Sequence, residues 1–181
     1  MIKKILTPFF LFFIKRAYKN FPHEKYAPRI LFRYALRQKF FGPNKKVPWP
    51  VHHTSQIIDF EKIDNGTRAP GMGKNCYLDA RNGIILGENV WTGPNISIIS
   101  MNHDNQDYKK YIKSDPVRIG KNSWLAANCI ILPSVELGEH TIVAAGAVVT
   151  KSFPNDNQVI AGNPAKIVKK LGPYNEQNST T

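Results

Sequence analysis

Acidic residues are almost absent from the first quarter of this sequence. Residues 1–46 contain twelve lysines and arginines but a single acid, Glu24, whereas the rest of the chain carries 13 basic and 12 acidic residues. The formal net charge of +12 therefore belongs to the amino-terminal segment, and the main part of the chain is nearly neutral. Because nucleic-acid-binding domains concentrate basic residues on their main surface, we expect no nucleic-acid partner.

Cysteine and histidine are also scarce. The two cysteines, Cys76 and Cys129, stand far apart and outside any metal or redox motif, which predicts reduced thiols in a cytoplasmic protein. The region from residue 57 to residue 171 offers only His103 and His140 at poor spacing, whereas a catalytic zinc ion needs about three protein ligands. We therefore predict no metal and exclude a zinc enzyme.

No apolar run approaches the roughly 20 residues of a membrane-spanning helix. The first 13 residues begin like a secretion signal, with Lys3 and Lys4 before an apolar stretch, but no small-residue cleavage site follows. We expect this segment to be retained in a leader that extends over residues 1–50.

The second half of the leader, RILFRYALRQKFF, places Arg29, Arg33 and Arg37 on one stripe of a helix among apolar residues. Two interpretations stay open. The leader lies in an anionic membrane interface, as basic amphipathic segments do, or it is a helical cap packed on the main domain or on a neighbouring subunit.

Aliphatic residues recur every six positions along the main part of the chain. The anchors are Leu86, Thr92, Ile98, then Ile119, Leu125, Ile131, Leu137, Val143 and Val149. A period of six does not fit an amphipathic helix, which repeats every 3.6 residues. It is typical of a solenoid of short parallel strands joined by tight turns. Residues 51–162 are thus predicted to form an all-β solenoid of between four and five coils.

One long segment interrupts the repeat. Residues 104–118, DNQDYKKYIKSDPVR, separate Ile98 from Ile119 by a distance that is not a multiple of six. Long excursions from a regular scaffold are more often functional than accidental. His103 lies at the root of this one.

The segment IGKNSWLAANCIILPSVELGEHTIVAAGAVVTKSFPNDNQVIAGNPAKIVKK resembles the hexapeptide-repeat acyltransferases, in particular the branch that O-acetylates sugars and surface polysaccharides. The resemblance covers about residues 57–171. It implies a left-handed parallel β-helix, acetyl-CoA as co-substrate, and a homotrimer with each active site between two subunits. Residues 163–181 are predicted to form a short helix and a tail, with Asn163 as N-cap, Pro164 at the first position and Gly172 after the end.

The resemblance also implies that His103, in the motif Asn-His-Asp, is the catalytic base. A neutral imidazole suits the removal of a proton from a sugar hydroxyl near neutral pH. No Ser or Cys stands in a nucleophile motif, so direct transfer from acetyl-CoA is favoured over an acyl-enzyme. Candidates for an orienting carboxylate or for the acceptor side are Asn102, Asp104, Asp107 and Asp115.

For the donor, the resemblance implies a groove with small residues and with lysines at the nucleotide end. Its residues are Trp124, Ala127, Ala145, Thr150, Lys151, Lys166 and Lys169. The alternative is that the alanines are ordinary corner residues and the lysines only a solvated face.

The expected function is an acetyl-CoA-dependent O-acetyltransferase acting on a saccharide hydroxyl in surface polysaccharide biosynthesis. We expect it in the cytoplasm or peripherally at the inner face of the membrane, with a lipid-linked saccharide as one candidate acceptor. The alternatives are an N-acetyltransferase, a xenobiotic acetyltransferase and a non-catalytic structural solenoid. Candidate acceptor contacts are Tyr108, Tyr111, Trp91, His52 and His53.

Overall fold

The computed structural model describes residues 7–18, 21–22 and 26–175 of the chain. The other residues of the predicted leader (1–6, 19–20 and 23–25) and of the predicted tail (176–181) lie outside the described residues. Two helices, α1 (Thr7–Ala17) and α2 (Pro28–Phe40), precede a solenoid of short strands.

Three mainly parallel sheets, here called faces A, B and C, form the sides of the solenoid. Face A consists of β1 (Gln56–Ile58), β3 (Tyr77–Asp79), β6 (Ser97–Ile99), β11 (Ile130–Ile131) and β14 (Val148–Val149). Face B consists of β2 (Ile63–Asp64), β4 (Ile84–Leu86), β9 (Val117–Ile119) and β12 (Glu136–Leu137). Face C consists of β5 (Trp91–Thr92), β10 (Trp124–Leu125), β13 (Thr141–Val143), β15 (Gln158–Ala161) and β16 (Lys166–Lys170). A 3-10 turn, Phe60–Lys62, leads into β2.

From β3 to β14 the chain visits faces A, B and C in turn, and the five strands of face A mark five coils. The predicted anchors point into the interior, where Ile98, Leu125 and Ile131 are completely buried. Cys76 and Cys129 are buried in the same core as free thiols. The predicted solenoid of short parallel strands is therefore confirmed.

A small residue follows several of the anchors, such as Gly120 after Ile119, and the corners of the solenoid explain why. A Cβ atom on Gly120 would lie 2.5 Å from the backbone nitrogen of Glu139 in the next coil, closer than real contacts allow. Two residues later, Asn122 adopts a positive φ of 58°, which asparagine tolerates better than most residues. Tight corners of this kind let successive coils stack at the spacing of hydrogen-bonded strands.

The excursion begins and ends slightly earlier than predicted. The chain leaves face A after Ile99 and forms a two-stranded hairpin of β7 (Asn102–His103) and β8 (Tyr111–Ile112). It re-enters face B at Val117, which the prediction had placed in the loop. Val117 is completely buried, so its packing restores the coil before the next six-residue anchor.

The predicted carboxy-terminal helix is wrong. Residues 166–170 form β16, which runs antiparallel to β15. The outer edge of β15 offers backbone groups that need hydrogen-bond partners, and the β-branched pair Ile167-Val168 favours a strand. The cap-like Asn163-Pro164 lies in a turn, and Ile167 pairs with Ile160.

The leader helices cap the first coil. Ile14 and Tyr18 pack with Leu31 and Ala35 in the buried core, and Tyr34 donates a hydrogen bond to the carbonyl oxygen of Met72 at 3.0 Å. One face of the leader therefore packs as the second interpretation predicted. Neither described helix has the length and apolarity needed to cross a membrane.

Candidate active site

His103 lies on β7 at the border where face A turns into face B, and it is exposed to solvent. Its Nδ1 atom is in hydrogen-bond contact with the backbone carbonyl oxygen of Tyr108. A carbonyl oxygen can only accept, so in the neutral imidazole the proton resides on Nδ1. This tautomer leaves the Nε2 lone pair available to accept a proton from a substrate.

The carbonyl of Tyr108 occupies the position predicted for an orienting carboxylate. Asp104 Oδ1 instead accepts from the backbone nitrogens of Gln106 at 2.8 Å and Asp107 at 3.1 Å, and it shapes the turn of the hairpin. Among the described residues, no hydrogen bond joins His103 to Asp104, Asp107 or Asp115. A role on the acceptor side for these aspartates and for the exposed Asn102 stays a prediction.

Asp107 also serves the hairpin. Its Oδ1 accepts from the backbone nitrogen of Lys109 at 3.1 Å, and its Oδ2 lies 3.5 Å from Lys110 Nζ. Within the part of the chain that the structure describes, no three His, Cys, Asp or Glu side chains converge to hold a metal ion.

A stack of side chains supports the imidazole. The ring of Tyr111 lies 4.7 Å from that of His103, and the guanidinium of Arg81 lies 4.6 Å from the Tyr111 ring. Arg81 is held in turn by Asp79, with Nη2 to Oδ2 at 2.6 Å and Nε to Oδ1 at 2.9 Å. These hydrogen bonds to the carboxylate raise the pKa of Arg81, which keeps its charge. The stack thus runs from a buried carboxylate to the proposed base.

Sequence reasoning missed Asp79 and Arg81. Asp79 is 2% exposed although it is charged, and it ends β3 one coil before His103 at the same border. The sequence signal that could have identified the pair is an aspartate at the last position of a predicted strand with an arginine two residues later. Buried charges in proteins are rarely left without a partner.

Asn82 fixes the hairpin to the preceding coil. Its Nδ2 atom lies 2.9 Å from the carbonyl oxygens of Ser100 and Ile112 and 2.9 Å from Ser114 Oγ. Both ends of the excursion are therefore tied to one side chain. This restraint keeps His103 in place without burying it.

Three of the predicted donor residues lie on the outer side of face C. Trp124 pairs with Ile142, which pairs with Val159, and Val159 is opposite Lys169. A register shift between Val159 and Ile160 also places Lys166 opposite the outward-facing Ala161. Because directly paired residues share a side of the sheet, both lysines project outward with Trp124.

The other four predicted donor residues lie at the two borders of face A. Ala127 and Ala145 follow β10 and β13, where face C turns into face A, and they lie on successive coils. Thr150 and Lys151 follow β14, where face A turns into face B, which is the border of His103. In a single chain, His103 and the alanines therefore stand on opposite borders of face A.

A cavity of about 400 Å³ lies beside Trp124 on face C. Its walls include Trp91, His140, Ile142 and Tyr174. Arg68 covers the ring of Trp91 at 3.3 Å. Trp91 is thus a neighbour of the predicted donor residues rather than of His103.

Comparison with known proteins agrees with this geometry. Residues 116–151 match the family described as bacterial transferase hexapeptide (six repeats). The match covers 36 of the chain's 181 residues. The matched residues include Trp124 on β10 and also Ala127 and Ala145, which follow β10 and β13.

Curated relatives bear acetyltransferase names. The galactoside O-acetyltransferase of Escherichia coli K12 is 29% identical over 109 residues, which are 55% of this chain and 53% of that protein. A Saccharomyces cerevisiae protein, named by inference as an acetyltransferase, is 35% identical over 102 residues, or 54% of this chain and 50% of that protein. The chain thus spans about half the length of the curated relatives it matches.

Solved structures share the fold. A galactoside acetyltransferase in complex with coenzyme A matches with a TM-score of 0.51 and 27% identity, over 55% of this chain and 50% of that chain. A hexapeptide-repeat acetyltransferase from Vibrio cholerae, complexed with acetyl coenzyme A, matches with a TM-score of 0.55 and 21% identity, over 94% and 89% of the two chains. The second likeness concerns the fold alone.

Proposed function

We propose that the chain is an acetyl-CoA-dependent O-acetyltransferase that acts on a saccharide hydroxyl, with His103 as general base. The observation that carries the proposal is the exposed imidazole whose Nδ1 contacts the Tyr108 carbonyl. Its Nε2 therefore faces outward as a proton acceptor at the root of the excursion from a hexapeptide-repeat solenoid. The names of the relatives, a galactoside O-acetyltransferase among them, support this acceptor class.

The proposed reaction is a direct transfer. Nε2 of His103 takes the proton of the sugar hydroxyl while that oxygen attacks the thioester carbonyl carbon. The carbon–sulfur bond then breaks, and the departing thiolate of coenzyme A takes the proton from the imidazolium. Tyr111 and Arg81 are positioning residues, since they hold the ring whose alignment the attack requires.

The two cysteines do not suit an acyl-enzyme route. Cys76 and Cys129 are buried in the core, and burial raises the pKa of Cys129 to about 12 and also raises that of Cys76. Both therefore remain thiols at neutral pH, whereas the nucleophile in thiol chemistry is the thiolate. This favours transfer through His103 alone.

The donor site is tested by binding. The double variant Lys166→Ala/Lys169→Ala is expected to bind acetyl-CoA at least about tenfold more weakly than wild type, because each lysine is proposed to pair with a nucleotide phosphate. Titration calorimetry on the full chain measures this. The control is Lys170→Ala, which removes one positive charge from the same strand at a position opposite the buried Gln158.

Absence of acetyl-CoA binding by the wild type would overturn the proposed function and favour a structural solenoid. If Lys170→Ala weakens binding as much as the double variant does, overall charge rather than the two placed lysines governs affinity. The donor assignment of Lys166 and Lys169 would then be withdrawn.

The division of the site between two borders supports a homotrimer. Ala127 and Ala145 lie at one border of face A and His103 at the other, so a site that needs both is completed by a second copy of the chain. Cyclic association would place one border against the other at every interface and would repeat the same site. We therefore include the homotrimer in the proposal.

We also propose that the leader holds the enzyme at the inner face of the membrane, near a lipid-linked precursor of surface polysaccharide. Phe9, Phe12, Phe40 and Phe41 are 59%, 70%, 56% and 84% exposed. Ring contacts through Phe32 and Phe13 join Phe9 to Phe40 and Phe41 in one patch. An aromatic patch surrounded by basic residues is typical of binding to anionic lipid surfaces.

Vesicle co-sedimentation tests this location. Wild type is expected to pellet with vesicles that contain phosphatidylglycerol. Phe9→Ser/Phe12→Ser should bind at least about tenfold more weakly, because each inserted phenylalanine contributes about 1.5–3 kcal/mol. Tyr108→Ser serves as the control, since it removes an exposed aromatic ring far from the leader in sequence. Equal pelleting of all three proteins would contradict the membrane proposal.

A further inference from the structure

A cavity of about 320 Å³ lies between helix α2 and the first coils, and the reaction described above does not use it. Its walls are formed by Ile30, Arg33, Tyr34, Arg37, Val51, His52, His53 and Lys74. The volume falls at the lower end of the range of about 300–1,000 Å³ that is typical of small-molecule sites. Ile30 and Val51 supply apolar wall, and most of the other groups are basic.

The positive charge of this cavity is not balanced. No acidic side chain lines it, and among the described residues Arg33, Arg37 and Lys74 form no ion pair. Burial, and then the charges of His53, Lys74 and Arg37, lower the pKa of His52. Arg33, Arg37 and Lys74 thus place three positive charges around a cavity that has no acidic side chain, which makes it a site for an anion.

The cavity lies in line with the border of face A that carries Ala127 and Ala145, here called the proposed donor strip. Lys74 occupies the border where face C turns into face A, and its carbonyl accepts from Asn95 N at 2.7 Å. The ladder continues upward from Asn128 N to Pro94 O at 3.1 Å and from Gly146 N to Ala127 O at 3.0 Å. Lys74 is two coils below Ala127, or about 10 Å at the usual strand spacing. The nucleotide lysines lie at the opposite end of the solenoid.

We propose that this cavity binds a phosphate group carried by the saccharide acceptor, which makes the substrate a glycosyl phosphate. The inference rests on the proposed function and specifies its acceptor class. Arginine forks pair with phosphate oxygens through two parallel hydrogen bonds, and lysine adds a point charge. The sugar would extend from the phosphate along the border toward the thioester. The phosphate is either a soluble monoester or a diphosphate link to a larger carrier.

Calorimetric titration of the full chain tests the proposal and separates the two sources. Wild type is expected to bind glucose 1-phosphate or UDP-glucose at least about tenfold more tightly than glucose. Tighter binding of the first indicates a monoester, and tighter binding of the second indicates a linked diphosphate. Glucuronate binding as tight as that of both phosphates would overturn the phosphate assignment.

Variants locate the binding. The double variant Arg33→Gln/Arg37→Gln should weaken binding of the preferred phosphate probe at least about tenfold. The single variant Lys74→Gln should weaken it about threefold. Arg29→Gln is the matched control, because Arg29 is exposed on the same helix and does not line the cavity. Equal weakening by Arg29→Gln would overturn the inference. Parallel titrations of the wild type with acetyl-CoA separate failure of this inference from failure of the proposed function. If the wild type binds acetyl-CoA but neither phosphate probe, only this inference is refuted. If it does not bind acetyl-CoA, the proposed function is refuted.

Discussion

His103→Ala is expected to lower the rate of acetyl transfer by about a hundredfold to ten-thousandfold while acetyl-CoA binds as tightly as to wild type. General-base catalysis by a placed side chain contributes an effect of this size. Five of the seven predicted donor residues lie on face C or its border with face A, and the Nδ1 atom of His103 contacts the Tyr108 carbonyl rather than a donor residue, so removal of the imidazole should leave donor affinity unchanged. The transfer rate is measured with a saccharide acceptor by following the release of the free thiol of coenzyme A. Calorimetry measures the affinity for acetyl-CoA.

Two controls separate a base from a residue that only supports the hairpin. Because His103 is exposed, imidazole added to the His103→Ala enzyme should restore part of the rate. His140→Ala should keep the wild-type rate at saturating acetyl-CoA, since His140 contacts Asn157 and lines the cavity beside Trp124 rather than the hairpin of His103. An unchanged transfer rate in His103→Ala would show that the imidazole is not the general base.

Mixing two inactive variants is expected to restore activity if the site is shared between subunits. His103→Ala lacks the base, and Ala145→Trp places a large ring in the proposed donor strip at the opposite border of face A. In randomly mixed trimers, about a quarter of the interfaces combine an intact His103 with an intact Ala145. Co-refolded or co-expressed protein should therefore approach about a quarter of the wild-type rate.

The matched control for this experiment is a mixture of His103→Ala with His103→Asn. Both changes affect the same border, so no interface in that mixture contains a base and no recovery is expected. If the first mixture also stays inactive although light scattering shows mixed oligomers, each site lies within one chain. The proposed division between borders would then be incorrect.

The solenoid is predictable from the six-residue repeat alone. A six-residue spacing of aliphatic anchors determines both the direction of each side chain and the position of each corner, as Ile98, Leu125 and Ile131 demonstrate in the core. Local sequence is sufficient here because each coil contacts only its neighbours. The position of His103 at the root of the excursion followed from the break in that spacing.

Features that depend on contacts outside the six-residue repeat were not predictable in the same way. The segment after Asn163 has the cap residues of a helix, but the open edge of β15 captures it as a strand. His103 contacts the backbone carbonyl of Tyr108, and because every residue has such a carbonyl, the amino-acid type at position 108 does not predict the contact. The Asp79–Arg81 pair becomes meaningful only when the hairpin folds back and lays Tyr111 over it.

The reversed last strand has a consequence for self-association. A parallel solenoid ends in an open edge onto which another copy could add its own strands, and repeated addition would produce a fibre. In this chain β16 runs in the opposite direction at the edge of face C and presents Lys166, Lys169 and Lys170. A second copy approaching that edge would meet like charge and the wrong strand polarity. The same short strand that is proposed to hold a nucleotide thus protects face C against end-to-end polymerisation.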